Sequence, residues 1–225
     1  MKQALLTLGI SILLFNVCYS QNKHTTFLDN KGDTTTFELH HSFQISGKYK
    51  SVYDRKTNTK SLILYPSGEL EKELARTERK TVLKEKIGEE FPYFTVTDIN
   101  GRVYSKKELE GKVVVLNFWF IGCAPCEMER PELNSIYNSY KDNPNVVFIS
   151  FARNQKEQLE KFLVKRPFFY PVVPLNEELI GKFDIKGYPQ NQIIGKDGRY
   201  FFNSKAAGIG SGIIIRREIE RALRS

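Results

Sequence analysis

The run Val113-Val114-Val115-Leu116-Asn117-Phe118-Trp119, continued by Phe120-Ile121-Gly122-Cys123-Ala124-Pro125-Cys126, decides how this chain folds. A nearly unbroken apolar run predicts a strand buried on both faces, because a strand with one wet face would alternate. A helix from about Ala124 to Lys141 is expected to begin at once, with Pro131 as a kink inside it. Cys123 therefore falls on the turn between a buried strand and a helix start. Downstream, strands are expected at Val146–Phe151, Tyr170–Val173, Asn191–Ile194 and Arg199–Phe202, and helices at Gln155–Lys165, Asn176–Phe183 and Ser211–Leu223. Lys196-Asp197-Gly198 joins the last two strands as a hairpin. Upstream, Phe94-Thr95-Val96 and Val103-Tyr104 flank the turn Asp98-Ile99-Asn100-Gly101, and a short helix follows around Ser105–Leu109. This alternation predicts an α/β domain over residues 87–225, a central sheet with helices on both faces.

Residues 21–86 follow a different pattern. Apolar and polar residues alternate in Thr36-Phe37-Glu38-Leu39 and Phe43-Gln44-Ile45-Ser46, and Thr59 to Tyr65 is rich in strand formers. Asn30-Lys31-Gly32-Asp33 and Arg55-Lys56-Thr57-Asn58 supply turns, so a small β-rich extension of antiparallel strands is expected. Ser67 is placed to cap a helix reaching about Lys86, with Leu70, Leu74 and Leu83 as its sparse apolar positions. Such a polar helix reads as a spacer or arm. His24, His40 and His41 are the segment's metal-ligand candidates by residue type. Neighbours on a strand point to opposite faces, so His40 and His41 are expected to be exposed polar residues without a shared metal.

The chain opens with Lys2, an apolar run from Ala4 to Val17, and Cys18-Tyr19-Ser20 before the polar Gln21-Asn22-Lys23. That is the pattern of an export signal cut after Ser20. Lipidation of Cys18 is the alternative, disfavoured by Asn16 and Val17 where small residues are expected; a retained anchor is a third. The apolar run is short for a membrane span. The expected organisation is a signal at 1–20, the β-rich extension at 21–86 and the α/β domain at 87–225, in a periplasmic or otherwise exported protein. A composition of 40% hydrophobic and 27% charged residues excludes a disordered chain. The net charge of +8 comes from 34 basic residues dispersed among 26 acidic ones, without a nucleic-acid motif, so no nucleic-acid partner is expected.

If Cys18 leaves with the signal, the mature chain keeps Cys123 and Cys126. A structural bridge gains from closing a long loop, and this loop is very short. Its value lies in opening and closing. At a helix start, unpaired N–H groups and the helix dipole favour a thiolate at Cys123. Pro125 fits the first helical turn, where no N–H donor is needed. Cys126 follows inside the helix, close enough to attack a mixed disulfide at Cys123. A Cys-x-x-Cys pair also serves as half a zinc site, but neither a second Cys pair nor a downstream His is present to complete it. The reading is a redox dithiol, with no metal and no cofactor.

Gly111 through Trp119, followed by Cys-x-Pro-Cys-x-x-Glu-x-Pro ending at Pro131, resembles the TlpA/ResA-type thioredoxin-like thiol–disulfide oxidoreductases of the bacterial envelope. Phe91-Pro92-Tyr93-Phe94 and Asn100-Gly101 look like that family's opening strands, and Gly187-Tyr188-Pro189 like its cis-proline segment. The resemblance covers about residues 87–225 and implies a thioredoxin-like mixed sheet. It makes Cys123 the nucleophile, Cys126 the resolving thiol of a redox-active Cys123–Cys126 disulfide, and Glu129 a buried acid that manages protons. Glu129 also stands one helical turn after Cys126, where proton exchange is geometrically reasonable. Trp119, Gly122, Pro125, Tyr188 and Pro189 would shape the substrate groove, with Pro189 keeping metals off the thiols. Glu127 is expected to be only a favourable first-turn charge. One departure stands out: the family usually has Trp before its first cysteine, and this chain has Gly122. Asn117 stands where cytosolic thioredoxins carry a buried Asp, which fits the envelope branch.

The implied activity is reduction of disulfides in envelope proteins, cytochrome c apoprotein among the candidates, with electrons from a membrane thiol donor. The same residues would serve an oxidant or isomerase. A thiol peroxidase would need Thr or Ser where Phe120 stands, and a copper-binding assembly factor a downstream His. An interaction module using residues 21–86, with the dithiol secondary, is the remaining class.

Overall fold

The computed structural model describes residues 25–175 and 177–225. The signal-like segment, Cys18, His24 and Asn176 lie outside them. In chain order the first part contains β1 (Thr26–Leu28), β2 (Thr34–Thr35), α1 (Phe37–Ile45), β3 (Tyr49–Asp54), β4 (Thr59–Leu64) and α2 (Glu69–Thr81). There follow β5 (Val96–Thr97), β6 (Val103–Tyr104), α3 (Lys106–Leu109), β7 (Val113–Trp119), α4 (Ala124–Tyr140) and β8 (Val146–Ala152). Last come α5 (Lys156–Lys165), β9 (Val172–Pro174), α6 (Glu177–Lys182), β10 (Gln190–Ile194), β11 (Tyr200–Lys205) and α7 (Ser211–Arg224).

All seven residues of β7 are buried. It runs parallel to β8, which runs parallel to β9, and antiparallel to β10, which pairs antiparallel with β11. The central order is β11-β10-β7-β8-β9. Side chains alternate along β7 and feed two cores. Val113, Val115 and Trp119 pack under α4, α5 and α7 with Leu133, Ile136, Leu159, Ile215 and Ile219. Val114, Leu116 and Phe118 face the other way, toward Phe91, Phe94, Phe151 and Phe183. Stacked and edge-on rings fill that second core: Phe118 on Phe151, and Phe91 on Phe183. The outcome is the α/β sheet with helices on both faces that the apolar run predicts. Pro131 lies inside α4, which continues through it to Tyr140.

The first part departs from expectation in three ways. Its sheet, ordered β2-β1-β4-β3, is mixed, because β1 runs parallel to β4. Residues 37–45, whose alternation predicts strand, form helix α1. Thr36 caps it, its hydroxyl accepting from the Leu39 amide at 3.2 Å. The helix buries His40, Ser42, Gln44 and Ile45 and leaves Phe37 and Leu39 exposed, which inverts the apolar–polar assignment. His40 is therefore a core residue: Nδ1 meets the Leu28 carbonyl at 2.7 Å and Nε2 the Ser51 hydroxyl at 2.8 Å. His41 is half-buried, stacked on Phe37.

Helix α2 is no spacer. It starts after Gly68 rather than Ser67 and stops at Thr81, where the chain becomes extended and joins the main sheet's edge. Val82 bridges Ser204, and the Leu83 amide donates to the Asn203 carbonyl at 2.8 Å. The Thr77 hydroxyl donates to the Ile209 carbonyl at 2.7 Å, and Glu78 pairs with Arg217 of α7. Helix α1 packs on α4, and the Gly210 amide before α7 donates to the Gln44 carbonyl.

Gly210 sits at this junction with φ +74°, and a Cβ there would collide with Leu74 of α2. Gly210→Ala should lower the unfolding free energy by about 1–3 kcal/mol. Gly32→Ala, also at positive φ but with open space around it, should cost less. Urea unfolding of both variants measures the difference.

Candidate active site at the head of helix α4

The carboxyl end of β7 delivers the chain to a turn, Phe120-Ile121-Gly122, that ends at Cys123. The Ile121 amide donates to Asn154 Oδ1 at 2.8 Å, tying the turn to the end of β8. Cys123 is the N-cap of α4, and the Cys126 amide donates to its sulfur at 3.3 Å. A disulfide joins the two residues, with Cα atoms 5.3 Å apart. Both are buried, whereas Gly122 and Ala124 are exposed and Pro125 lies half-buried in the first turn.

The Tyr188–Pro189 peptide, just before β10, is cis. Gln190 pairs with Phe118, which brings Pro189 to the same sheet end as the dithiol. The Tyr188 ring meets Phe120 edge-on at 5.3 Å. Phe120, Gly122, Pro125, Tyr188 and Pro189 thus gather around the cysteines. Trp119 does not reach that surface. Its ring lies among Phe162 and Phe168, and Nε1 points to the Ser150 hydroxyl at 3.4 Å.

Glu129 is 1% exposed. Its Oε1 accepts from Asn191 Nδ2 at 2.9 Å, and Asn191 Oδ1 accepts from Asn117 Nδ2 at 2.9 Å. Burial, partly offset by the Asn191 bond, pushes the Glu129 carboxyl up to about 7. Tyr170 is also fully buried; burial first, and then the Glu129 charge, raises its hydroxyl well above the usual tyrosine value. Glu127 does more than decorate the first turn: it accepts from Arg130 at 2.8 Å and from Arg166 at 3.1 Å.

Sequence reasoning passed over Asn191 and Tyr170. A signal for the first was available: Gln190-Asn191-Gln192 puts three successive amides inside a buried strand directly after Pro189. Amides are rarely buried without partners, and each of the three donates a bond here: Gln190 to Asn203, Asn191 to Glu129 and Gln192 to the Phe183 carbonyl.

A two-faced mixed sheet with a cysteine pair at the head of the helix after its central strand defines a thioredoxin-like thiol–disulfide oxidoreductase. The chain belongs to the AhpC/TSA family, whose pattern matches residues 87–199, half of its length. It is similar to a thiol-disulfide oxidoreductase ResA of Bacillus cereus, 34% identical over 117 residues that cover 52% of this chain and 68% of the relative. ResA of Geobacillus kaustophilus is 29% identical over 140 residues, covering 62% and 77%. Among solved structures, a thiol:disulfide interchange protein of the thioredoxin family from Chlorobium tepidum TLS superposes with a TM-score of 0.52 at 25% identity, covering 60% of this chain and 95% of that one.

The Glu129 geometry has a consequence for stability. Because its pKa is raised from 4.5 to about 7, the native state holds the proton more tightly than the unfolded chain does. That advantage is complete below 4.5 and is lost as pH rises through 7, a change of about 3 kcal/mol. Glu129→Gln should therefore lose less stability than the wild type between pH 4.5 and 8. Urea unfolding of the oxidised proteins at both pH values measures this.

Proposed function

We propose that this protein is an exported oxidoreductase that reduces disulfides of bacterial envelope proteins through Cys123 and Cys126. The observation that carries this reading is the disulfide between those residues at the head of α4, beside the cis Tyr188–Pro189 turn. The signal-like start from Lys2 to Ser20 and the similarity to ResA support the location and the direction. Residues 25–86, the described part of the first segment, are a structural extension of the domain that begins at 87.

In the reduced protein, Cys123 at the helix start is the thiolate. Its sulfur attacks one sulfur of the substrate disulfide; a mixed disulfide forms, and the other substrate sulfur leaves as a thiolate that is protonated by water. Glu129, as carboxylate, accepts the Cys126 proton. The Cys126 thiolate then attacks Cys123, the mixed disulfide breaks, and the second substrate sulfur leaves and recovers a proton. Two electrons have passed to the substrate, and Cys123–Cys126 is left oxidised. A membrane thiol donor returns two electrons and two protons to the pair. Phe120, Gly122, Tyr188 and Pro189 form the groove in which an extended substrate segment lies, and Gly122 keeps it open where a larger side chain would stand. An apolar-lined groove suits an unfolded polypeptide, so cytochrome c apoprotein is a fitting substrate.

The reduction potential of the pair, measured by equilibration with glutathione, tests the direction. A value well below the glutathione couple is expected; one near strong oxidants would reverse the assigned electron flow. The roles of the two cysteines separate in trapping. Cys126→Ser should accumulate a mixed disulfide with a disulfide-bearing protein, visible on a non-reducing gel, while Cys123→Ser should accumulate none.

A further inference from the structure

We propose that Asn191, locked by Asn117, is a positioning residue that makes Oε2 of Glu129 the single oxygen at which that carboxyl gains and loses its proton. The inference rests on the reading of Glu129 as the proton acceptor for Cys126, and adds which atom acts and what holds it.

Asn117 in β7 and Asn191 in β10 are cross-strand partners, so their side chains share the face covered by α4. The three residues are 2%, 3% and 1% exposed. A primary amide offers an acceptor at oxygen and donors at nitrogen. Asn117 donates into Asn191 Oδ1, which turns the Asn191 nitrogen toward Glu129, where it donates to Oε1. An N–H donor cannot accept a carboxyl proton. Oε1 is thereby an acceptor in both protonation states, and the proton belongs on Oε2. Oε2 is buried and has no hydrogen-bond partner among the described residues. On α4, the side facing Glu129 one turn back carries Cys126. From the segment before β9, the neutral Tyr170 hydroxyl is the titratable neighbour, and Arg216 of α7, paired with Glu132, acts on Tyr170. Burial raises the Glu129 carboxyl, and the Asn191 bond draws it back down. Without that donor, both oxygens would be buried and unpaired, and the charged form would become costlier.

The test follows the Glu129 side-chain carboxyl by carbon-13 NMR titration of the full oxidised chain, in which neither cysteine of the Cys123–Cys126 pair titrates. The wild-type midpoint is expected near 7. Asn191→Ala should move it upward by about one pH unit, a tenfold shift in the proton equilibrium. Asn117→Ala, which only unlocks the amide, should move it by less. Asn191→Ser, a smaller packing change, should move it in the same direction and carries the test if the alanine variant does not fold. An unchanged midpoint in a folded Asn191 variant overturns the proposal. So does an equal displacement of the turnover–pH profile by Asn191→Ala in the Glu129→Gln background, where no carboxyl remains to be positioned. Reduction of insulin disulfides by the wild type is measured alongside. Its absence would overturn the reductase reading, while the midpoint in the oxidised chain still decides the role of Asn191.

Discussion

Strand β7 is hydrogen-bonded on both edges and covered on both faces, and the placement of every group at the site follows from its register. Sliding it by one residue would exchange its two faces, sending Val113, Val115 and Asn117 into the aromatic core and Phe118 toward α4. Asn117 is the polar exception in an otherwise apolar strand. Its bond to Asn191 would be lost by such a slip, leaving amides unpaired in the buried interior. The same pair that orients Glu129 thus helps hold the strand where it must be for Cys123 to emerge at the helix head.

Charge at that helix head is balanced by neighbours. A carboxylate in the first turn suits the helix dipole, yet Glu127, one turn after Cys123, would oppose a thiolate there. Arg130 and Arg166 both bond to it. Arg130 also donates to the Pro167 carbonyl and lies over Phe162, so the loop before β9 is tied to the active helix through the same guanidinium.

The central domain was legible because its signals are local and strong. The seven-residue apolar run, the Cys-x-x-Cys at its end and the Lys196-Asp197-Gly198 turn each point to one structure. The extension was not. In 37–45 the spacing of Phe37, Leu39, Phe43 and Ile45 mimics a strand, while a Thr36 cap and burial against α4 select a helix whose inner face is largely polar. Nothing within those residues announces that α4 will be their partner. The Glu129 network was half legible: helical spacing ties Glu129 to Cys126, but Asn191 lies 62 positions away and meets it only through the sheet. Trp119 reads as a surface aromatic beside the cysteines, and one pleat decides that it points inward.

Helix α1 lies on α4, the helix that carries both cysteines. One flank of the cysteine-bearing helix is already roofed by the chain's own earlier residues, with Glu38 near Arg166. At the head of that helix the Phe120 and Tyr188 rings meet edge-on. The extension therefore covers part of the helix that carries the cysteines, while Gly122 and Ala124 stay exposed at its head.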